Sequence, residues 1–217
     1  MISNVYYHGV FMISDQLENN ITTTNFTDAA ENSSIKAATL EIVSINKSTV
    51  FTPQDCKDIL STCVEELWLP ATVIGNKDFH KSKRQKLRGD TAGFPFLNIR
   101  DVTKQANIEI YDFSLLGIID QDFPQVFKYT QGDYYNMHID LNSMAPSRKI
   151  TFIINLTDPT EYEGGQIEFL NVNIDPQVSN EQGCCFVFPS YMPYSITPVT
   201  KGTRHILVGH VHGALFK

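Results

Sequence analysis

In the stretch "YTQGDYYNMHID", His138 and Asp140 stand two residues apart in a run that reads as a β-strand. Strand alternation sends both side chains off the same face. An imidazole nitrogen and a carboxylate oxygen offered together are two of the three donors of a 2-His-1-carboxylate set. That set holds Fe(II) and leaves coordination positions open for a co-substrate and O2. His-x-Asp alone is too common a spacing to carry this reading, so the elements around it decide.

Those elements are short apolar runs separated by turn signals. From about Phe123 the segments "VFKYTQ", "YYNMHID", "KITFIINLT", "GGQIEFLN", "CCFVFPS", "YSITPVT" and "TRHILVGHVHG" read as successive strands. Turn residues fall at Gly132, Asn142–Pro146, Asp158–Gly165, Asp175–Gly183, Pro189–Pro193 and Lys201–Gly202. Upstream, "FTPQDCKDILSTCVEELW" predicts a helix. Thr52 is its N-cap, Pro53 its first residue, and Asp55 lies in the first turn near the positive dipole end. Cys56, Ile59, Leu60, Cys63, Val64 and Leu67 form its apolar stripe. "ATLEIVSI" reads as a strand, and 101–112 is ambiguous between strand and helix. The pattern predicts a mainly β fold with N-terminal helices, a sandwich or jelly-roll. Residues 1–37, with the polar segment 17–36, read as an extension and 38–217 as one domain.

The chain has 217 residues with a net charge of −7, a balance that argues against general nucleic-acid binding. No run of eighteen apolar residues predicts a membrane span, and the N-terminus lacks the basic start of a signal peptide. The expectation is a cytoplasmic protein without membrane or nucleic-acid partners. Its four cysteines, Cys56, Cys63, Cys184 and Cys185, then read as reduced thiols. Lys81, Lys83, Arg84, Lys86 and Arg88 read either as a solvated loop or as a lip that attracts an acidic substrate.

Five segments in order resemble the prolyl 4-hydroxylase branch of the 2-oxoglutarate- and Fe(II)-dependent dioxygenases, and the bacterial PKHD-type hydroxylases. "FTPQDCKDIL" resembles the family's opening helix and "YTQGDYYNMHID" its Tyr-x-x-Gly…His-x-Asp element. "YEGGQIEFL", "GCCFVFPS" and "ITPVTKGTR" resemble the strands that follow, so the likeness covers roughly residues 50–213. It implies a double-stranded β-helix (jelly-roll, cupin-like) core. It also implies Fe(II) held by His138 and Asp140, 2-oxoglutarate as co-substrate, and ascorbate as reductant. Arg204 would fork onto the distal carboxylate of 2-oxoglutarate. Tyr129 would line that pocket, and Thr151, or Asn155 on the same face, would offer it a hydrogen bond. The implied reaction is hydroxylation of a prolyl or other peptide or protein side chain.

One letter departs from the family pattern. Its second metal histidine should stand ten residues before Arg204, where this chain has Tyr194. Three readings follow. Tyr194 ligates the metal as a phenolate; His210, which with His212 shares the strand parity of Arg204, replaces the missing ligand; or the site is weakened, leaving a non-catalytic module that binds a carboxylate ligand or a partner protein.

Overall fold

The computed structural model describes residues 4–9 and 40–46 as backbone strands, and residues 51–71, 76, 78–174 and 180–216 in full. The polar segment 17–36 lies outside the described residues. The strands are β1 (Asn4–Gly9), β2 (Leu40–Asn46), β3 (Leu69–Ala71), β4 (His80–Lys86), β5 (Leu115–Gly117), β6 (Gln125–Thr130), β7 (Tyr134–His138) and β8 (Arg148–Asn155). They continue with β9 (Tyr162–Gly164), β10 (Ile167–Phe169), β11 (Cys185–Pro189), β12 (Tyr194–Ile196) and β13 (Val199–Gly213). Helices α1 (Pro53–Ser61) and α2 (Phe96–Ala106) precede the main run of strands.

Pairing is antiparallel throughout, in the order β1-β2-β11-β8-β13-β6-β4-β7-β12-β10. β4 makes the corner: Lys83–Lys86 pair with β6, whereas His80 and Lys81 pair with β7. The sheet therefore curls into two walls, β11-β8-β13-β6 and β7-β12-β10, in a jelly-roll. The stretch 80–86, open between loop and lip in the sequence, is this corner strand. The fifteen-residue β13 pairs along its length with β9, β6, β8 and β5, so it ties most of the barrel together.

Alternation on the central strands sorts two cores. Inward go Tyr129, Ile153, Phe186, Phe188 and Ile206, which meet Ile167, Phe169, Tyr194 and Ile196 from the opposite wall. Outward go Val126, Ile150, Phe152, Ile154, Val187 and Leu207, against Cys56 and Ile59 of α1 and Phe96, Ile99 and Val102 of α2. Each large apolar side chain buried this way contributes roughly 1.5–3 kcal/mol. Behind β13, Trp68 packs with its ring 6.0 Å from that of His205 and 5.5 Å from Lys128 Nζ.

At α1 the Thr52 hydroxyl accepts from the Asp55 N–H at 3.2 Å, and the Asp55 carboxylate accepts from the Thr52 N–H at 2.8 Å. This reciprocal cap satisfies two donors that the first turn leaves orphaned. The helix stops at Ser61, short of the predicted stripe's end at Leu67. Continuing it would put Glu65 and Glu66 at the negative end of the dipole. Instead Val64 is extended and its N–H donates to Gln85 Oε1, which starts the chain toward β3. The ambiguous 101–112 is helical through Ala106 and ends in one wider turn, Asn107–Tyr111. All four cysteines are free thiols; burial, aided by Asp55, pushes Cys56 up to about 12.

Candidate functional site

β7 ends on His138, and Asp140 follows it where the chain turns. The backbone N–H groups of Asp140 and Leu141 both donate to the Ser190 carbonyl, which fixes that turn. His138 Nδ1 lies 2.8 Å from the Asn136 carbonyl, an acceptor only, so Nδ1 carries the proton. Burial holds the imidazole pKa below its ordinary value against the pull of Asp140, which keeps the ring neutral. Its Nε2 is then a bare lone pair, buried, with no hydrogen-bond partner. It faces Asp140 Oδ1 at 3.8 Å. The ring itself is held by stacking: Tyr135 lies 3.5 Å from it, and His80 lies 3.7 Å beyond Tyr135.

The other oxygen of Asp140 is crowded. Oδ2 accepts from Thr151 Oγ1 at 2.8 Å and from the Tyr194 hydroxyl at 3.2 Å, and His210 Nε2 lies 3.4 Å away. Burial favours the protonated acid, but His210, His138 and Arg148 outweigh it, so the carboxyl stays well below the usual carboxylate range. Burial and the neighbouring Asp140 charge raise the Tyr194 phenol far above its ordinary value. Tyr194 is a neutral donor here.

Asp122, in the turn before β6, was not singled out by the sequence. Its two oxygens take a fork from Arg148 at 2.6 and 2.7 Å, and His212 Nε2 lies 2.9 Å from Oδ2. His210 Nδ1 is 3.0 Å from the same Oδ2, close enough for ion pairing although its alignment falls short of a hydrogen bond. Burial lowers the His210 pKa, but Asp140 and Asp122 reverse this and raise it. Arg148 also donates to the Asp140 carbonyl at 3.1 Å, linking the two acidic groups.

Arg204 sits at the other end of β13 and is fully buried. Its Nε donates to Asn155 Oδ1 at 3.2 Å, Nη1 donates to the Gly165 carbonyl, and Nη2 has no partner. No carboxylate pairs with it among the described residues. Strand register explains why Asn155 rather than Thr151 is its neighbour: on β8, Asn155 stands opposite Ile206 and Thr151 opposite His210. Tyr129 is the register partner of Arg204 on β6 and also lines a cavity of about 160 Å³. Asp140, Tyr194, His210, Tyr135 and Arg84 line it too, whereas Arg204 does not.

The structure thus gathers His138, Asp140, Thr151, Tyr194 and His210 in one cluster, of which Asp140, Tyr194 and His210 line the cavity, and sets Arg204 beside Asn155 farther along β13 and β8. Among the described residues no three His, Cys, Asp or Glu side chains converge on one metal position. The donor set still suits a divalent cation as a two-donor site, because the lone pair of His138 Nε2 and Asp140 Oδ1 face each other with nothing between them.

Residues 124–212 match the model of the 2OG-Fe(II) oxygenase superfamily. The curated proteins the chain resembles include PKHD-type hydroxylases. A PKHD-type hydroxylase of Prochlorococcus marinus is 34% identical over 85 residues, and one of Idiomarina loihiensis 32% identical over 85. The aligned stretch is 39% of this chain, and 38% and 39% of those relatives, so the chain spans about two-fifths of their length. Among solved structures, a Trichoplax adhaerens prolyl hydroxylase in complex with a hypoxia inducible factor peptide fragment superposes with a TM-score of 0.61 at 16% identity. It covers 79% of this chain and 83% of that one. A Pseudomonas putida prolyl-4-hydroxylase gives 0.59 at 18% identity, covering 79% and 92%. These structures share the jelly-roll. No helix among the described residues is long and apolar enough to cross a membrane.

Proposed function

We propose that the protein is an Fe(II)- and 2-oxoglutarate-dependent dioxygenase that hydroxylates a C–H bond of a prolyl or other peptide or protein side chain, releasing succinate and CO2. One observation supports the reading: two buried groups of opposite need, one on β7 and one on β13, lack hydrogen-bond partners. His138 Nε2 is a lone pair without a donor, and Arg204 Nη2 is a cation's N–H without an acceptor. A cation at the first and a carboxylate at the second satisfy both.

His138 and Asp140 would hold the iron, and Arg204, with Asn155 and Tyr129 beside it, the distal carboxylate. Bound Fe(II) with 2-oxoglutarate supplies the activation of O2 that no side chain can perform, and ascorbate keeps the metal reduced. What the chain contributes is placement. The Tyr135 stack fixes the His138 ring, Ser190 fixes the Asp140 turn, and the aromatic walls of Tyr129, Phe127 and Tyr194 keep water from the reacting centre. For a carboxylate to reach Arg204, the guanidinium must turn from the Gly165 carbonyl toward Tyr129. The substrate would approach over the 141–147 loop, where Met144 is exposed, and past Arg84 on β4.

Purified protein with Fe(II), ascorbate and 2-oxoglutarate is expected to release succinate above a His138→Ala control. No succinate above that control, with a panel of prolyl peptides present, would favour instead a module of the same fold that only binds a carboxylate ligand. The absence of a third convergent acidic or imidazole donor among the described residues is the observation on that side.

Gly165 offers a second check. Its φ is +64°, and a Cβ there would stand 2.8 Å from Val199 Cγ2 and 3.3 Å from Arg204 Cδ. Gly165→Ala is expected to displace Arg204 and weaken 2-oxoglutarate binding about tenfold, with stability falling by roughly 1–3 kcal/mol. Calorimetric titration beside a urea melt reads both, and unchanged affinity would detach Gly165 from the pocket.

A further inference from the structure

We infer that the chain supplies only two metal ligands, His138 Nε2 and Asp140 Oδ1, that Tyr194 is a positioning residue for Asp140, and that metal is retained tightly only together with 2-oxoglutarate. This rests on the metal-site reading above and goes beyond it in assigning the position left by the missing histidine.

The assignment comes from the two edges of the Asp140 carboxylate. Thr151 Oγ1, the Tyr194 hydroxyl and His210 Nε2 all gather on Oδ2, at 2.8, 3.2 and 3.4 Å. Among the described residues, Oδ1 faces only the lone pair of His138, at 3.8 Å. Two metal bonds of about 2.1 Å span up to about 4.2 Å, so a single ion bridges that gap. Nothing comparable is open on the Oδ2 side. The Tyr194 hydroxyl donates to the carboxylate, and both nitrogens of His210 face carboxylates, Asp122 and Asp140. Each group holds Asp140 so that Oδ1 alone is presented, the role usual for groups behind a metal ligand.

Two protein donors make a weak site. A co-substrate that chelates the ion through its 2-oxo acid end, while its far carboxylate rests on Arg204, adds two donors and an anchor. By linkage, metal and co-substrate must then tighten each other by the same factor.

The experiment is a calorimetric titration of the full chain with Mn(II), alone and with saturating 2-oxoglutarate. For the wild type, 2-oxoglutarate is expected to tighten Mn(II) binding at least tenfold. Tyr194→His should bind Mn(II) alone at least tenfold more tightly than the wild type and lose most of the coupling. Tyr194→Phe should keep the coupling, weakened a few-fold, because only a hydrogen bond to Oδ2 is lost. Tight Mn(II) binding by the wild type without co-substrate overturns this inference and leaves the hydroxylase reading standing. So does a visible charge-transfer band on loading with Fe(III) that disappears in Tyr194→Phe, since that band marks a phenolate ligand. Loss of Mn(II) binding in His210→Gln equal to that in His138→Ala, with both variants giving native melts, overturns it in favour of His210. No Mn(II) binding under any condition overturns the metal-site reading itself, and this inference with it.

Discussion

Replacing Arg204 with methionine is expected to cost two to three orders of magnitude in 2-oxoglutarate affinity while leaving the melting temperature of the ligand-free protein almost unchanged. The two halves of this expectation have one cause. Arg204 is 0% exposed and has no carboxylate partner among the described residues, so in the ligand-free protein it carries a desolvation penalty with little return. Methionine removes that penalty, fills similar volume beside Tyr129 and Tyr162, and forfeits the hydrogen bonds to Asn155 and Gly165 and the cation–π contact with Tyr162. The opposing effects are each of order 1–3 kcal/mol and largely cancel. With 2-oxoglutarate bound there is no such cancellation. A buried carboxylate left without its cation loses about 3–5 kcal/mol. Arg204→Lys should fall between, since an ammonium cannot fork onto two oxygens. The measurement is a thermal melt across a 2-oxoglutarate titration, because a ligand that binds only the folded state raises the midpoint as concentration passes Kd. A methionine variant that still shows the wild-type rise would show that Arg204 holds no carboxylate.

The largest loss of stability is expected at Asp122. Removing its carboxylate in Asp122→Ala leaves the Arg148 fork, His212 Nε2 and His210 Nδ1 without their shared acceptor. Breaking one partner out of a largely buried ion pair costs about 3–5 kcal/mol. For a chain of this length that is on the order of 10 °C in melting temperature. The carboxyl pKa is depressed, because the His210 and Arg148 interactions outweigh the burial that would raise it. A depressed carboxylate stabilises above its unfolded pKa and loses that stabilisation as pH falls through the folded value. On the carboxylate's account the gap between wild type and Asp122→Ala should close in strong acid, and because Asp122 also raises the His210 pKa, the gap should narrow as well when pH rises through that imidazole's titration. Melts at pH 7 and below pH 4 test it; a gap under about 1 kcal/mol at pH 7 would mean that the fork is replaced by solvent without loss.

Strand parity explains which part of this site is legible in the sequence. Two-residue alternation placed Arg204 with His210 on one inward face without knowledge of their partners, whereas β7 ends on His138 and the turn fixed by Ser190, not a continued strand, brings Asp140 beside it. Parity gives a face but not a depth. Thr151 and Asn155 are alike by alternation, and only the β8–β13 register sends one to Asp140 and the other to Arg204. Asp122 was not legible for a different reason. In "IIDQDFPQ" it looks like any acid in a polar turn, and its meaning comes from a guanidinium and two imidazoles 26, 88 and 90 residues away. The end of α1 was misplaced because apolar spacing continued to Leu67, while a tertiary bond from Val64 to Gln85 had already claimed the backbone.

The position of Trp68 has a practical consequence. It is the single tryptophan of the chain, lodged between Lys128 of β6 and His205 of β13, one residue from Arg204. Excitation at the red edge of protein absorbance therefore selects one fluorophore, and its emission is a local gauge of the β6–β13 seam. A denaturation curve followed by that light reports the parting of the wall that carries Arg204. Circular dichroism, summed over all strands, includes β1 and β2 as well. Where the two curves separate, the separation measures how far the outer strands come away before the site does.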